Sequence, residues 1–288
     1  MSDSTQNDYE SVSSRKSPAR KKKKTKFTLS DGIRLGVIVI AAGVFVYALV
    51  QLIRIQDGYK EAQDIYADID ARVVSTKEYS SEEDDDRLVE PNLDIDWDKL
   101  YAEQEKIVGW IQVPSCDISY PIVRGEDNDY YLNHTYNDQF SYSGAIFLDY
   151  RESSELIDDH LVIYGHHMKD TSMFCDLLEY DDEAFYEKNE GYNYFFIYTK
   201  ENIRVYKIFS ICDVNINDNP TAYTIDIDAD FTISDYAAYV QSVELYDTGV
   251  EFNGRQIATL FTCQTDSQSN VRHMVHGMFV ETIEYGAE

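Results

Sequence analysis

A chain of 288 residues is long enough to bury a sizeable core, as one large domain or two small ones. Its formal net charge of −28 is unevenly spread: the first 34 residues hold nine Lys or Arg and four Asp or Glu, which leaves 16 basic against 49 acidic residues after them, a balance of −33. So acidic a body argues against nucleic acid as a partner, because a phosphate backbone needs Lys and Arg to neutralise it, while 24 Tyr and 13 Phe give a β-leaning composition.

Residues 1–34 read as a basic tail, with the run Arg20-Lys21-Lys22-Lys23-Lys24 and no apolar periodicity to support an ordered backbone. From 35 to 53 the only strongly polar residue is Gln51, which gives 19 residues, close to the ~20 that cross a bilayer as a helix. The run is longer than the apolar part of a signal peptide and no small-x-small cleavage site follows it, so it reads as an uncleaved anchor. The basic tail keeps the N-terminus cytoplasmic and puts everything after about Arg54 outside, as a single-pass protein of the cell membrane.

Residues 54–96 read as a helical stalk and linker. Tyr59, Ala62, Tyr66, Ile69 and Val73 recur on one helical face, free either to stand as a stalk or to pack on the domain. The acidic run Glu82-Glu83-Asp84-Asp85-Asp86 then interrupts the helix. Trp97, Leu100, Tyr101 and Ile107 restore helical spacing, with Asp96 as N-cap, and open a domain over 97–288.

From Val108 the text turns to strands, predicted at 108–113, 118–123, 145–148, 161–164, 194–199, 203–212, 256–263 and 271–280. Between them, short helices are predicted near 173–178, at 182–188, and over 235–245 with Ser234 as cap. Eight strands with so few crossover helices predict a mainly β domain, a largely antiparallel barrel or sandwich with helical insertions.

Two strand ends carry reactive groups. The segment Ile257 to Cys263 alternates with period two and ends on a thiol, and a return strand from Val271 brings Arg272 back beside it. The run Leu161-Val162-Ile163-Tyr164 ends at Gly165, followed by His166 and His167. A thiolate is the nucleophilic form of cysteine, an imidazole promotes it or protonates a leaving amine, and a guanidinium stabilises an oxyanion without acting as a base. Each has an ordinary reading as well: a buried cysteine, a loop histidine, a surface ion pair. Cys116, Cys175 and Cys212 complete the cysteines without any C-x-x-C pair, and the His166-His167 and His273…His276 spacings form no standard zinc site, so neither a metal nor a cofactor is expected. An even count of cysteines outside the cell permits disulfides, with connectivity unreadable.

Taken together, these motifs resemble a known family. Thr259-Leu260-Phe261-Thr262-Cys263 resembles the Thr-Leu-x-Thr-Cys signature of sortases, transpeptidases that attach proteins to the Gram-positive cell wall. Val108-Gly109-Trp110-Ile111, Tyr120-Pro121-Ile122-Val123, Asp127-Asn128-Asp129-Tyr130-Tyr131-Leu132-Asn133-His134, Gly144-Ala145-Ile146-Phe147-Leu148-Asp149 and Tyr164-Gly165-His166-His167-Met168 are similar to the class B subgroup, in order. The resemblance implies an eight-stranded sortase-like barrel with helical insertions and N-terminal helices. It implies Cys263 as nucleophile, His166 (directly after Gly, unlike His167) as catalytic histidine, and Arg272 as the family's arginine. It further points to Asn128, Leu132, Phe261 and Thr262 as substrate-binding positions and to the Gln264 backbone N–H as an oxyanion donor. Phe261 departs from the pattern, since that position is often small. The partners implied are surface proteins bearing a sorting motif and a peptidoglycan amine as acceptor. A pilin-polymerising sortase, an anchored cysteine peptidase and an inactive peptide-binding module are the alternatives.

Overall fold

The computed structural model describes residues 29–77, 89–224, 226–263 and 270–285, without the side chains of 220, 223 and 263. The basic run at 20–24, the acidic run at 82–86 and Gln264 therefore lie outside the described residues.

Helix α1 (Leu29–Val73) crosses from one compact unit, which ends at Gln51, into a second that begins at Leu52. The part in the first unit is apolar and exposed, and α1 holds an 18-residue window of mean hydropathy 2.5, long and apolar enough to cross a membrane. In the second unit the helix packs rather than standing free. Ala62, Tyr66, Ile69 and Val73 are buried along one face, at the three- and four-residue spacing seen in the sequence.

After α1, strands β1 (Val74–Thr76) and β2 (Leu93–Ile95) pair antiparallel in a small separate sheet. Three-residue strands are too short to show a period, which is why the sequence does not announce them. Helix α2 (Trp97–Glu103) starts where predicted, with Asp96 Oδ1 accepting from the Lys99 N–H at 3.1 Å, but Ile107 belongs to the next strand and not to the helix.

Eight strands follow: β3 (Ile107–Val113), β4 (Ile118–Arg124), β5 (Ile146–Leu148), β6 (His160–Tyr164), β7 (Tyr194–Tyr198), β8 (Asn202–Asn215), β9 (Ile257–Cys263) and β10 (Val271–Glu284). They close into a barrel in the order β10-β8-β7-β3-β4-β5-β6-β9. Closure removes the exposed strand edges that an open sheet this large would present. Most neighbours are antiparallel, as predicted; β4–β5 and β6–β9 are the parallel pairs.

Short helices decorate the barrel. The segment near Met173 is a 3-10 helix over Cys175–Asp181, and α3 (Glu183–Lys188) is capped by Asp182. Helix α4 (Ile233–Ser242) begins earlier than predicted. Its cap is Thr232 and not Ser234, because the Thr232 hydroxyl accepts from the Asp235 N–H while Asp235 accepts from the Thr232 N–H, a reciprocal capping box.

The alternation in β9 sorts side chains between two cores. Ala258 and Leu260 join the main cluster with Trp110, Ile111, Ile122 and Val275, whereas Ile257 and Phe261 join outer clusters that include Tyr236, Val240 and Tyr239 of α4. With apolar partners on both faces, the strand carries an almost unbroken apolar text. Cys116, Cys175 and Cys212 are free thiols.

Gly277 sits at a register shift between β10 and β8, where an added Cβ would come within 2.2 Å of Phe195 Cε1 and 2.9 Å of Tyr206 Cβ. Phe195 and Tyr206 are stacked with centroids 5.0 Å apart, so neither ring has room to retreat. Gly277→Ala is expected to destabilise the fold by about 1–3 kcal/mol through overpacking, measured as a shift of the denaturant midpoint at unchanged slope.

Candidate active site

Parallel pairing of β6 with β9 runs from His160 opposite Ile257 to Tyr164 opposite Phe261, and the Gly165 N–H continues it by donating to the Phe261 carbonyl at 3.0 Å. Parallel strands end on the same rim, so His166, two residues past Tyr164, and Cys263, two past Phe261, leave the sheet side by side. On the other side of β9, antiparallel β10 sets Arg272 directly opposite Cys263. Three residues from distant parts of the chain thus have neighbouring backbones at one end of the barrel. The Cys263 side chain lies outside the description.

Gly165 is required at the turn into His166. A Cβ there would stand 2.5 Å from both Ile146 Cδ1 and Phe174 Cδ2, and the Phe174 N–H returns to donate to the His166 carbonyl at 3.0 Å. The His166 ring is held by its Nε2–H, which donates to the Leu132 carbonyl at 2.7 Å. In the neutral ring this leaves Nδ1 as the basic nitrogen. The loop that supplies that carbonyl is braced in turn: Gly144, at φ +60°, packs against the Leu132 carbonyl, and Tyr66 of α1 donates from its hydroxyl to the Gly144 carbonyl at 2.8 Å. His167 points into a different setting, where burial lowers its pKa and its backbone bridges to Met173.

The remaining predicted residues are placed unevenly. Leu132 is 40% exposed beside His166. Asn128 is bound into a network: its Nδ2 donates to Asp149 at 2.8 Å and its Oδ1 accepts from the Tyr150 N–H at 3.0 Å. Phe261 is only 8% exposed and meets Tyr164 edge-on at 5.1 Å, so most of the ring serves packing. Thr262 is buried, and its hydroxyl has no hydrogen-bond partner among the described residues. Arg272 donates from Nη1 to the Val271 carbonyl at 3.1 Å.

Sequence reasoning missed the Asp149 network. This carboxylate, wholly buried, accepts a bidentate pair from Arg151 as well as bonds from Asn128 and the Tyr164 hydroxyl. Burial alone would raise its pKa, but these donors outweigh it and hold the value at about 2. Tyr164 is thereby fixed at the end of β6, one residue before the Gly165 turn. Asn128, Asp149 and Tyr164 each stand in one of the motif segments quoted above, but nothing in their spacing along the chain signals that they meet.

Two histidines of β10 were also unreadable in detail. Residues 273 and 276 are three apart in a strand and so face opposite sides. Four groups form one buried chain behind β9: the Cys212 thiol donates to His276 Nε2 (3.3 Å), His276 Nδ1–H to Thr259 Oγ1 (2.8 Å), the Thr259 hydroxyl to His160 Nε2 (2.8 Å), and His160 Nδ1–H to the Thr224 carbonyl (2.7 Å). Every member is satisfied in its neutral form. Burial agrees, pushing the Cys212 thiol up to about 12 and His160 down to about 4. This is a cysteine–histidine contact with no thiolate in it.

His273, next to Arg272, is the opposite case. Its Nδ1–H faces Asp181 at 2.9 Å and Asp213 at 3.0 Å, and its Nε2–H donates to the Leu177 carbonyl at 2.9 Å. With acceptors on both nitrogens the ring is an imidazolium. Burial opposes that charge, but the two carboxylates outweigh it and raise the pKa to about 9. By ligand type Asp181, Asp213 and His273 are also able to hold a metal ion, yet the proton fills the same geometry. Since the folded pKa lies above the unfolded value of 6.5, the stabilisation is complete below about pH 6.5 and is lost as pH rises through about 9. His273→Gln has no such proton to lose. Its unfolding free energy is therefore expected to depend less steeply on pH across that window than the unsubstituted protein's, and equal slopes would show that His273 is neutral.

Comparison with known proteins places this arrangement. The family model of the Sortase domain matches residues 111–280. The chain is 29% identical over 246 residues to Sortase B of Listeria monocytogenes, covering 82% of this chain and 92% of that protein. Among solved structures, sortase B from Bacillus anthracis in complex with AAEK1 superimposes with a TM-score of 0.63 at 28% identity, over 79% of this chain and 100% of that one. A Staphylococcus aureus sortase B-substrate complex gives a TM-score of 0.57 at 25% identity, over 64% of this chain and 84% of that one. The strand order that brings the ends of β6, β9 and β10 to one rim is therefore that of a sortase barrel, and the chain belongs to the sortase family, as a class B sortase transpeptidase.

Proposed function

We propose that this sortase cleaves a C-terminal sorting motif of exported proteins at a Thr-X bond and transfers the acyl group to a peptidoglycan amine. The observation that carries the reading is the backbone register of Tyr164 with Phe261 and of Cys263 with Arg272. The state of the other thiols supports it: burial pushes Cys116 and Cys212 up to about 12 and raises Cys175, so none of these is a ready nucleophile. The substrate complex of the Staphylococcus aureus relative supports a sorting peptide as the ligand.

In this mechanism the Cys263 thiolate attacks the Thr carbonyl carbon, forming a C–S bond and an oxyanion. Arg272 and the Gln264 N–H hold that oxyanion. Its collapse breaks the amide C–N bond, and protonated His166 gives a proton to the departing amine. The acceptor amine then attacks the thioester, His166 takes the proton back, and the thiolate leaves. No cofactor enters this cycle. Leu132 and the exposed part of Phe261 line the peptide's path, with Asn128 and Thr262 behind them. The membrane places donor and acceptor on one surface: residues 1–34 stay cytoplasmic, 35–53 span, and the catalytic unit lies outside.

Two measurements test this. With a sorting peptide and the chain from Leu52 onward, Cys263→Ala is expected to abolish the acyl-enzyme seen by mass spectrometry, and added amine is expected to divert product from hydrolysis to transfer; indifference to amine would leave only a peptidase. His166→Ala is expected to lower turnover by about 10²–10⁴-fold, whereas His167→Ala keeps most of it. A lethal His167 change with a tolerated His166 change would reverse the assignment.

A further inference from the structure

Outside α1, the exposed large apolar and aromatic side chains of the catalytic unit include a group crowded into one loop: Tyr130, Leu132, Phe140 and Tyr142 at 38%, 40%, 65% and 53% exposure. Among the described residues outside α1, the others of comparable type are Tyr150 and Ile157 in the β5–β6 connection, and Tyr192 and Leu245 elsewhere. The three rings of the group are joined through His134 into a continuous ladder. Tyr130 stacks on His134 with centroids 4.1 Å apart, His134 meets Phe140 edge-on at 6.1 Å, and Phe140 meets Tyr142 edge-on at 5.3 Å. A backbone bridge between His134 and Phe140 closes the loop beneath them. The rings are thus held together at the surface by their own contacts, rather than waiting to collapse into a core.

The height of this ladder along α1 identifies what covers it. Tyr142 Cδ2 lies 3.8 Å from where a Cβ on Gly58 would be, so the ladder abuts α1 at that residue. Ile53, the last apolar residue of the candidate span, belongs to the same compact unit, and with Leu52 it is half exposed. Gly58 is five residues along the helix from Ile53, about 7.5 Å at the rise of an α-helix. The polar layer on each side of a bilayer's hydrocarbon core is about 5–8 Å deep. With Ile53 at the hydrocarbon edge, Tyr142 stands at headgroup level, where amphipathic aromatic rings are enriched.

We propose that the Tyr130–His134–Phe140–Tyr142 ladder docks the barrel on the lipid headgroup layer of the membrane that holds α1, which rests on the anchor topology proposed above. Docking is intramolecular, so a modest gain from each ring suffices: the span supplies the effective concentration. The driving contact is aromatic and not electrostatic, because the body of the protein is strongly acidic. A consequence for the reaction follows from His166, whose Nε2–H is bonded to the carbonyl of Leu132 in this same loop. Docking therefore sets the catalytic rim beside the headgroups, within reach of an acceptor amine carried by a membrane-borne precursor.

The test uses the full chain in phosphatidylcholine nanodiscs whose acyl chains are brominated near the headgroup. Trp97 and Trp110 are buried, so a new surface tryptophan reports its own surroundings. F140W emission is expected to be quenched several times more than that of I157W, whose side chain precedes β6 at the opposite rim from His166; Y142W serves as a second probe should F140W fold poorly. Cys263→Ala in the same background is expected to leave the quenching intact, since the contact needs no turnover. Co-elution with discs but no quenching beyond I157W would overturn docking alone. A chain that does not co-elute would refute the anchor and docking together. Emission insensitive to lipid but altered by a sorting peptide would assign the ladder to the peptide cleft and overturn the proposal.

Discussion

The parallel pairing of β6 with β9 is the constraint on which the site depends. Strands distant in sequence run side by side only when a long connection returns the chain to the same end of the sheet, and here the connection contains β7, β8 and α4. Because both strands point the same way, the residues just beyond them emerge on one rim. A one-residue slip of this register would turn Phe261 and Leu260 to the wrong cores and carry Cys263 to the other face. The apolar partners on both sides of β9 therefore enforce the position of a reactive group that itself contributes little to packing.

Around that rim the molecule separates three kinds of titratable group by what surrounds them. Asp149 is charged because donors converge on it, His273 is charged because acceptors do, and the Cys212–His276 pair is neutral because its hydrogen bonds run in one direction to a carbonyl. All are buried. Burial favours the neutral form in every case: it prevails at Cys212 and His276, while converging hydrogen bonds and charges outweigh it at Asp149 and His273. A cysteine beside a histidine is accordingly not enough to make a nucleophile, and Cys212 is the internal example.

Much of this was legible in the sequence, and for identifiable reasons. The helical face at Ala62, Tyr66, Ile69 and Val73, the eight barrel strands and the Asp96 cap are local patterns whose period or cap chemistry survives in a single segment. What was not legible depends on partners far along the chain. His273 meets Asp213 and Leu177, 60 and 96 residues away, and no spacing encodes that meeting. The start of α4 was misplaced because Ser234 is as good a capping residue type as Thr232, and only the Asp235 carboxylate bonding back to the Thr232 N–H decides between them. Whether α1 stood as a stalk or packed could not be read either, since one apolar face suits both.

That packing bears on what would happen were the protein cut from its anchor. Tyr142 lies beside Gly58, and Tyr66 holds the Gly144 carbonyl, behind which lies the loop that steadies His166. A protease acting between Ile53 and Gly58 would free a catalytic unit with that support in place. A cut beyond Tyr66 would release a barrel of almost the same mass whose histidine loop has lost its brace. Shedding at the first point yields a roaming enzyme, shedding at the second a discarded one, and some ten residues of a single helix separate the two outcomes.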